Sequence, residues 1–305
     1  MNVLIIGLGS IAKKHISAIH QLDVSSKIYA LRNNPASTND IAGIVDVYAL
    51  KEVNMAEIDF VLISNPTSLH FSTIKALLPY KKPLFIEKPL FSEINEETQS
   101  LVAEIETKGI ITYVACNLRF LDCLKELKNH LPKERINEVN VYAGSYLPAW
   151  RPGVDFRTVY SANKEMGGGV HIDLIHELDY VYWLFGKPFI TSSLFRSRST
   201  LEISAIDYAN YRWEYENFTA SIILNYYRKD SKRTLEVVTE AGTYTVDLLA
   251  NSITFDNKCI FASPQKITDT YKDQMKYFID LVLRKNERFN TILEANTILG
   301  LCLKD

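Results

Sequence analysis

Residues 1–22 read MNVLIIGLGSIAKKHISAIHQL. Asn2–Gly7 is an unbroken apolar run ending in glycine, the composition of a strand buried on both faces. Ile11–Leu22 carries apolar residues at helical spacing. Between them Gly7-Leu8-Gly9-Ser10-Ile11-Ala12 fits G-x-G-x-x-A, and a strand before it and a helix after it are the context that pattern requires. Gly7 permits the tight turn, Gly9 lets backbone approach a pyrophosphate, and Ala12 allows close helix–strand packing. Ser10 and Ile11 open a helix whose N–H groups and positive dipole end suit phosphates. The stretch therefore predicts a dinucleotide site.

The pattern continues outward. Strands are expected at Lys27–Leu31, Asp59–Ser64, Leu84–Glu87 and Ile110–Ala115, and helices at Ser72–Leu78 and Glu93–Lys108. Apolar strands alternating with helices predict a doubly wound parallel sheet. Beyond about residue 135 the strands follow one another: Glu138–Leu147, Thr191–Arg198, Ile203–Trp213, Phe218–Tyr227, Thr234–Glu240 and Gly242–Leu248. One continuous helix is expected over Val170–Phe185, and two more at Thr270–Arg284 and Thr291–Leu303. The expected fold is α/β: residues 1–118 a Rossmann dinucleotide-binding domain, residues 119–305 a substrate-binding and oligomerisation α+β domain with a large, mostly antiparallel open sheet. The last helix is free to pack back on the first domain.

Composition limits the function classes. The 305 residues are 47% apolar and 23% charged, with net charge −2, which excludes disordered and fibrous classes and offers no basic excess for nucleic acid. No run reaches the roughly 18 apolar residues of a membrane span, and the N-terminus enters a strand with no signal-peptide pattern. The expected location is the cytoplasm, without membrane or nucleic-acid partners. Cys116, Cys123, Cys259 and Cys302 are widely spaced and contain no C-x-x-C pair, so they read as reduced thiols. No acid, histidine and cysteine set has metal-ligand spacing, and no metal is expected.

An NAD site usually places an acid about 20 residues after the glycines. Here the second strand ends Leu31-Arg32-Asn33-Asn34, with no acid before Asp40. Arg32 can fork onto a 2′-phosphate, favouring NADP over NAD; alternatively it is a solvated arginine.

Asn65-Pro66-Thr67-Ser68-Leu69-His70, Glu87-Lys88-Pro89 and Gly167-Gly168-Gly169 followed by Asp173 and His176 complete a set. Together with the first turn, these motifs resemble the Gfo/Idh/MocA family of NAD(P)-dependent sugar and polyol oxidoreductases over essentially the whole chain. The resemblance implies that Lys88 lies near the nicotinamide and the reacting carbon, that Asp173 and His176 join it in catalysis, and that the Lys88–Pro89 bond can be cis. It also implies cofactor contacts from Asn65, Pro66, Glu87 and Lys88, and a cofactor- or substrate-facing Arg119 in Asn117-Leu118-Arg119-Phe120. Many members read D-x-x-x-H where this chain has D-x-x-H. Tyr146–Pro152 (YLPAWRP), Asp155-Phe156-Arg157, Tyr160-Ser161-Ala162 and His176-Glu177-Leu178-Asp179 resemble a branch from bacterial sugar-nucleotide and surface-polysaccharide pathways. That branch shares the shorter spacing; Phe156 replaces its usual tyrosine.

The residues also speak for themselves. Oxidising an alcohol needs a base for the hydroxyl proton and a cation near the developing oxyanion. His176 can be the base, or a satisfied structural histidine. Lys88 can be the cation, or a surface lysine. Asp173 can orient either, or simply start a helix. On one helix, Asp173, His176 and Tyr180 would lie off the apolar stripe Leu174, Leu178, Val181 and Phe185. His70 either caps and packs the cofactor loop or touches the cofactor. Arg119 either faces ligand or is solvated; His15, His20 and His171 read as packing residues. Tyr146–Tyr160 is expected to loop over the site, with Trp150 offering a flat apolar face and Asp155 accepting hydroxyls. Arg151 and Arg157 would clamp an anionic sugar-type substrate, unless Arg157 braces the loop against Asp155. Tyr208, Tyr211, Trp213, Tyr215, Phe218, Tyr226 and Tyr227 suggest an apolar sheet face that buries itself in a homodimer or homotetramer. The function expected is hydride transfer between a nicotinamide cofactor and a sugar, sugar acid or nucleotide-sugar alcohol or ketone. The alternatives are a non-catalytic dinucleotide-binding sensor or scaffold, and an enzyme that retains its cofactor through internal redox.

Overall fold

The computed structural model describes residues 1–32, 41, 43–131 and 135–304; Asn33, Asn34 and Asp40 lie outside them. The chain forms two units, one of Met1–Cys116 with Tyr271–Leu299, the other of Asn117–Thr270 with Gly300–Asp305.

In the first unit β1 (Asn2–Ile6), β2 (Lys27–Leu31), β3 (Ile44–Val47), β4 (Phe60–Ile63), β5 (Leu84–Glu87) and β6 (Thr112–Ala115) make a parallel sheet in the order β3-β2-β1-β4-β5-β6. Every residue of β4, β5 and β6 is buried, as expected of strands covered on both faces. Strand order reverses between β1 and β4, so the Gly7 turn leaves the sheet at its switch point, the crevice where such sheets bind ligands. Helices α1 (Ser10–Leu22), α2 (His70–Leu77) and α3 (Glu96–Thr107) supply the crossovers. Asn95 and Thr98 cap α3 reciprocally, each backbone N–H donating to the other's side-chain oxygen at 2.9 Å. The sequence reading missed β3, whose four residues are too short for a periodicity signal.

The second unit carries an eight-stranded sheet: β7 (Ile136–Tyr146), β8 (Ile190–Arg196), β9 (Tyr208–Glu214), β10 (Thr219–Asn225), β11 (Tyr227–Thr239), β12 (Thr243–Asp247), β13 (Ser252–Phe255) and β14 (Lys258–Ala262). Its order is β14-β13-β12-β11-β7-β10-β9-β8, antiparallel except between β7 and β10. β13 and β14 were not anticipated. They are short and meet at Asp256-Asn257, both at positive φ (47° and 67°), and that Asp-Asn pair was the available hairpin signal.

One row across this sheet runs Tyr211, Ile222, Val141, Leu235, Val246 and Ile253, all at most 2% exposed. The neighbouring row, on the other face, runs Leu194, Asn210, Ile223, Tyr142, Thr234, Asp247 and Ser252. This corrects the expected aromatic face. Alternation turns Tyr211 and Trp213 inward, Tyr226 is buried as well, and the open face is mostly polar. Its exposed apolar part is Ile190 and Leu194 at the edge and Tyr227 of β11, with Tyr208 half-buried.

Helices α4 (Asp122–His130), α5 (Val170–Asp173) and α6 (Ile175–Phe185) belong to this unit. The continuous helix expected over Val170–Phe185 is broken at Leu174 (φ −100°, ψ 30°). The first segment is tied to the chain just before β9, where Val170 N–H donates to the Ile206 carbonyl at 2.8 Å. The second is held by ion pairs described below, one of them to β11.

The chain then returns to the first unit. α7 (Thr270–Val282) lays Phe278 edge-on against Phe60 and Phe85, with ring centroids 5.2 and 5.3 Å away. Before α8 (Ile292–Leu303), the chain pairs with the edge of β6. Val114 N–H donates to the Asn290 carbonyl at 2.9 Å, Asn290 Nδ2 to the Val114 carbonyl at 2.7 Å, and Ile292 N–H to Thr112 Oγ1 at 2.9 Å. Most of the C-terminal pair thus counts with the first unit rather than with residues 119–305.

Candidate functional site

The first-unit site is built on the turn after β1. Gly7 sits at φ 89°, and a Cβ there would come within 2.6 Å of the Asn65 backbone nitrogen, so no side chain fits. At Gly9 a Cβ would meet nothing within 4 Å. α1 begins with no side-chain cap and no acid in its first turn, leaving its early N–H groups for a ligand. Ser10 is exposed, Ile11 half-buried and Ala12 sealed against the sheet. The residues present therefore fit a nicotinamide dinucleotide.

A cavity of about 400 Å³ adjoins this turn, and its wall includes Gly7, Arg32, Leu50, Asn65, Pro66 and Leu69. Arg32 donates to Asp46 of β3 at 3.2 Å. Asn65 Nδ2 donates to Thr73 Oγ1 at 2.8 Å, and Pro66 precedes a 3₁₀ turn over Thr67–Leu69. His70 is 1% exposed, with Nδ1 3.0 Å from the Leu90 carbonyl oxygen and Nε2 3.1 Å from that of Asn65. Burial lowers its pKa. It staples two loops and is sealed from solvent. Glu87 is the buried last residue of β5. Lys88 follows it, half-buried, and the Lys88–Pro89 bond is cis.

In the second unit a Cβ on Gly168 would lie 2.0 Å from the Tyr160 carbonyl oxygen; only glycine lets those backbones meet. Asp173 ends α5 and His176 is the second residue of α6, both half-buried. They belong to two helical segments, not to the one helix expected. Asp173 accepts a 2.5 Å hydrogen bond from the Tyr226 hydroxyl. Burial, and after it the charge of Asp173, push that phenol well above its ordinary pKa, so Tyr226 remains a donor. The same causes raise Tyr160. Trp150, 40% exposed, stands edge-on to Tyr226 at 5.4 Å and donates from Nε1 to Ser145 Oγ at 3.0 Å. Tyr226 is the residue sequence reading misplaced: alternation lets Tyr226 or Tyr227 face inward, and no periodicity chooses between them. His171 packs against Phe195 at 5.3 Å, and burial lowers its pKa to about 4, keeping it neutral.

The candidate substrate residues are not all brought together. Arg151, Asp155 and Arg157 are exposed. Asp155 caps a short turn by accepting the Arg157 N–H at 3.0 Å, while the Arg157 guanidinium lies over the Phe156 ring at 4.6 Å. Arg119 is neither solvated nor at an open surface. It is 2% exposed and makes a bidentate pair with Asp179, at 2.8 and 2.7 Å. Glu177 makes a second such pair with Arg233 of β11, at 2.5 and 3.2 Å. Among the described residues no group of three or more His, Cys, Asp or Glu could hold a metal ion, and no helix is long and apolar enough to cross a membrane.

A switch-point turn open to a pyrophosphate, followed by a second α/β unit that presents a carboxylate and an imidazole, is the layout of a nicotinamide-dependent oxidoreductase. The chain belongs to the Gfo/Idh/MocA oxidoreductase family: residues 1–116 match its NAD-binding Rossmann fold and residues 128–278 its C-terminal alpha/beta domain. It is 24% identical over 303 residues to the oxidoreductase YrbE of Bacillus subtilis, covering 91% of this chain and 85% of YrbE. It is 27% identical over 177 residues to the scyllo-inositol 2-dehydrogenase (NADP(+)) IolW of the same organism, covering 57% of this chain and 48%, about half, of IolW. Among solved structures it resembles the UDP-N-acetylglucosamine 3-dehydrogenase GnnA from Acidithiobacillus ferrooxidans (TM-score 0.79, 17% identity, 99% and 95% covered). It also resembles the WlbA dehydrogenase from Bordetella pertussis in complex with NADH and UDP-GlcNAcA (TM-score 0.76, 19% identity, 99% and 93% covered). At those identities the likeness shows the fold.

The buried Arg119–Asp179 pair makes a prediction that separates a brace from a ligand contact. Arg119→Met strands a buried carboxylate and should cost about 3–5 kcal/mol in denaturant unfolding, whereas the double variant Arg119→Met/Asp179→Leu should recover much of that loss. Unchanged stability in the single variant would show that Arg119 braces nothing.

Proposed function

We propose that this oxidoreductase transfers a hydride between NADP(H) and a carbon of a sugar, sugar acid or nucleotide sugar. The observation that carries the reading is the second-unit cluster: a carboxylate fixed by a buried phenol, a half-exposed indole against that phenol, and His176 three residues on. Carboxylate and imidazole suit the hydroxyls of a polyhydroxylated ring, and the flat face of an indole suits its apolar face. When bound, the nicotinamide supplies the hydride donor or acceptor. His176 takes or returns the hydroxyl proton, and Lys88 supplies the positive charge that a developing alkoxide needs. Asp173, held by Tyr226, offers a fixed acceptor in the second-unit cluster. Arg151 and Arg157 supply two cations for an anionic substrate. A panel of sugars, sugar acids and nucleotide sugars tests this through cofactor turnover. His176→Asn should lower kcat by about 10²–10⁴-fold and Lys88→Met by about 10²–10³-fold, while Arg151→Ala and Arg157→Ala raise KM with cofactor affinity unchanged. Cofactor binding without turnover across the panel would favour the sensor reading instead.

The NADP preference rests on Arg32 beside the cavity, in the place where an NAD site keeps an acid. A charge-assisted contact to a 2′-phosphate is worth about 1.5–3 kcal/mol, roughly tenfold to a hundredfold. Asp46 competes for the same guanidinium, so Asp46→Asn should widen the preference and Arg32→Asp should abolish it. Calorimetry with both cofactors decides; equal affinities in the parent overturn the reading.

A homodimer or homotetramer through the open face of the second sheet completes the proposal, supported by the exposed Ile190 and Leu194 on its edge. A monomeric mass by light scattering at micromolar concentration would rule it out.

A further inference from the structure

His15 lies in the middle of α1, fully buried, and the mechanism above gives it no task. Its Nε2 is 2.5 Å from Glu87 Oε1. The other oxygen of that carboxylate, Oε2, accepts the backbone N–H of Lys88 at 3.2 Å. One carboxylate therefore joins an imidazole on the first helix to the backbone of the candidate catalytic lysine.

The surroundings make this link obligatory. The His15 ring stands edge-on to Phe85 and Tyr271, at 4.8 and 5.6 Å, so the carboxylate emerges from an aromatic wall with little water to solvate it. A buried carboxylate needs a donor. His15 Nδ1 is buried and has no hydrogen-bond partner among the described residues. A carboxylate only accepts, so in this contact Nε2 is the donor. The ring is thus committed as a donor to Glu87. The charge it steadies is felt nearby: burial first, and then the negative charge of Glu87, raise the Tyr271 phenol to about 12.

We propose that His15 is a positioning residue for Lys88, acting through the Glu87 carboxylate. A glutamate that bonds the N–H of the next residue competes with other local arrangements of its backbone. Pinning the far oxygen selects one of them and sets where the Lys88 side chain starts. Without His15 the carboxylate swings toward water, and the Lys88 N–H loses a fixed acceptor. The task assigned to His15 rests on the reading of Lys88 as a catalytic group; the mechanical link does not.

Three variants separate the possibilities. His15→Leu removes the donor and keeps apolar bulk, His15→Gln keeps an N–H at the reach of Nε2, and Glu87→Gln keeps the shape and removes the charge. Labelling of Lys88 by an amine-directed reagent, read by peptide mass spectrometry, needs no substrate. Lys88 should label faster in His15→Leu and Glu87→Gln, with Lys108 unchanged, and His15→Gln should return it toward the parent rate. With a substrate that turns over, kcat should fall about tenfold or more in His15→Leu while the Kd for NADP(H) holds, and His15→Gln should recover most of the loss. A lower thermal midpoint with parent-like labelling and kcat would mean packing alone and overturn the proposal. If His15→Leu does not fold, Glu87→Gln carries the labelling readout. Faster labelling in a protein that turns over no sugar supports the link and counts against the functional reading instead.

Discussion

Two buried ion pairs, two residues apart on α6, govern the second unit. Glu177 reaches Arg233 on the sheet and Asp179 reaches Arg119 on the 3₁₀ turn over Asn117–Phe120. Residues i and i+2 of a helix point roughly 200° apart, so the helix is gripped from opposite sides. A rotation of one residue about its axis would strand the buried Arg119, Asp179 and Glu177 charges where water cannot solvate them, and such misplacement costs several kcal/mol per ion. Apolar packing alone tolerates small rotations, because one leucine can fill the place of another. Charge does not. His176 immediately precedes the first gripped residue, and its direction is set by that grip.

Tethers also flank the break at Leu174. α5 is held through Val170 on the Ile206 carbonyl before β9 and through Asp173 on Tyr226 between β10 and β11; α6 is held through its acids. One residue with near-bridge dihedrals, Leu174, separates the two anchored segments. The D-x-x-H spacing thus places its two residues on separately anchored pieces, each with its own tether.

Much of this was legible in the chain and some was not, for identifiable reasons. The first sheet announces itself because parallel strands buried on both faces are plain apolar runs, and the Gly7 turn permits one geometry. Helix α7 was legible from Tyr271, Met275, Phe278 and Val282 at helical spacing. By contrast, Arg119 and Asp179 are 60 residues apart, and nothing local tells a buried arginine from a solvated one. His15 is read as packing because a lone histidine on a helix has no visible partner, and Glu87 is 72 residues away. Asp46 shows a subtler gap. A search for an acid along β2 finds none, yet the adjacent β3 brings Asp46 in sideways against Arg32. Periodicity reports which face is buried; it is silent on which buried polar groups find each other.

The edge of β6 carries a consequence for how the protein comes into being. Val114 is satisfied by Asn290, 176 residues later. At ribosomal rates of about 5–20 residues per second, that separation amounts to roughly ten to thirty seconds. Through that interval the nascent first sheet has five of its strand pairings and an open edge, the kind of surface that recruits other strands. The dinucleotide turn is complete in the chain within its first dozen residues, but the sheet beneath it closes almost last. The early part of the chain must therefore wait, partly assembled, for the late part, and the interval is a window in which chaperones, or premature ligand binding, can decide its fate.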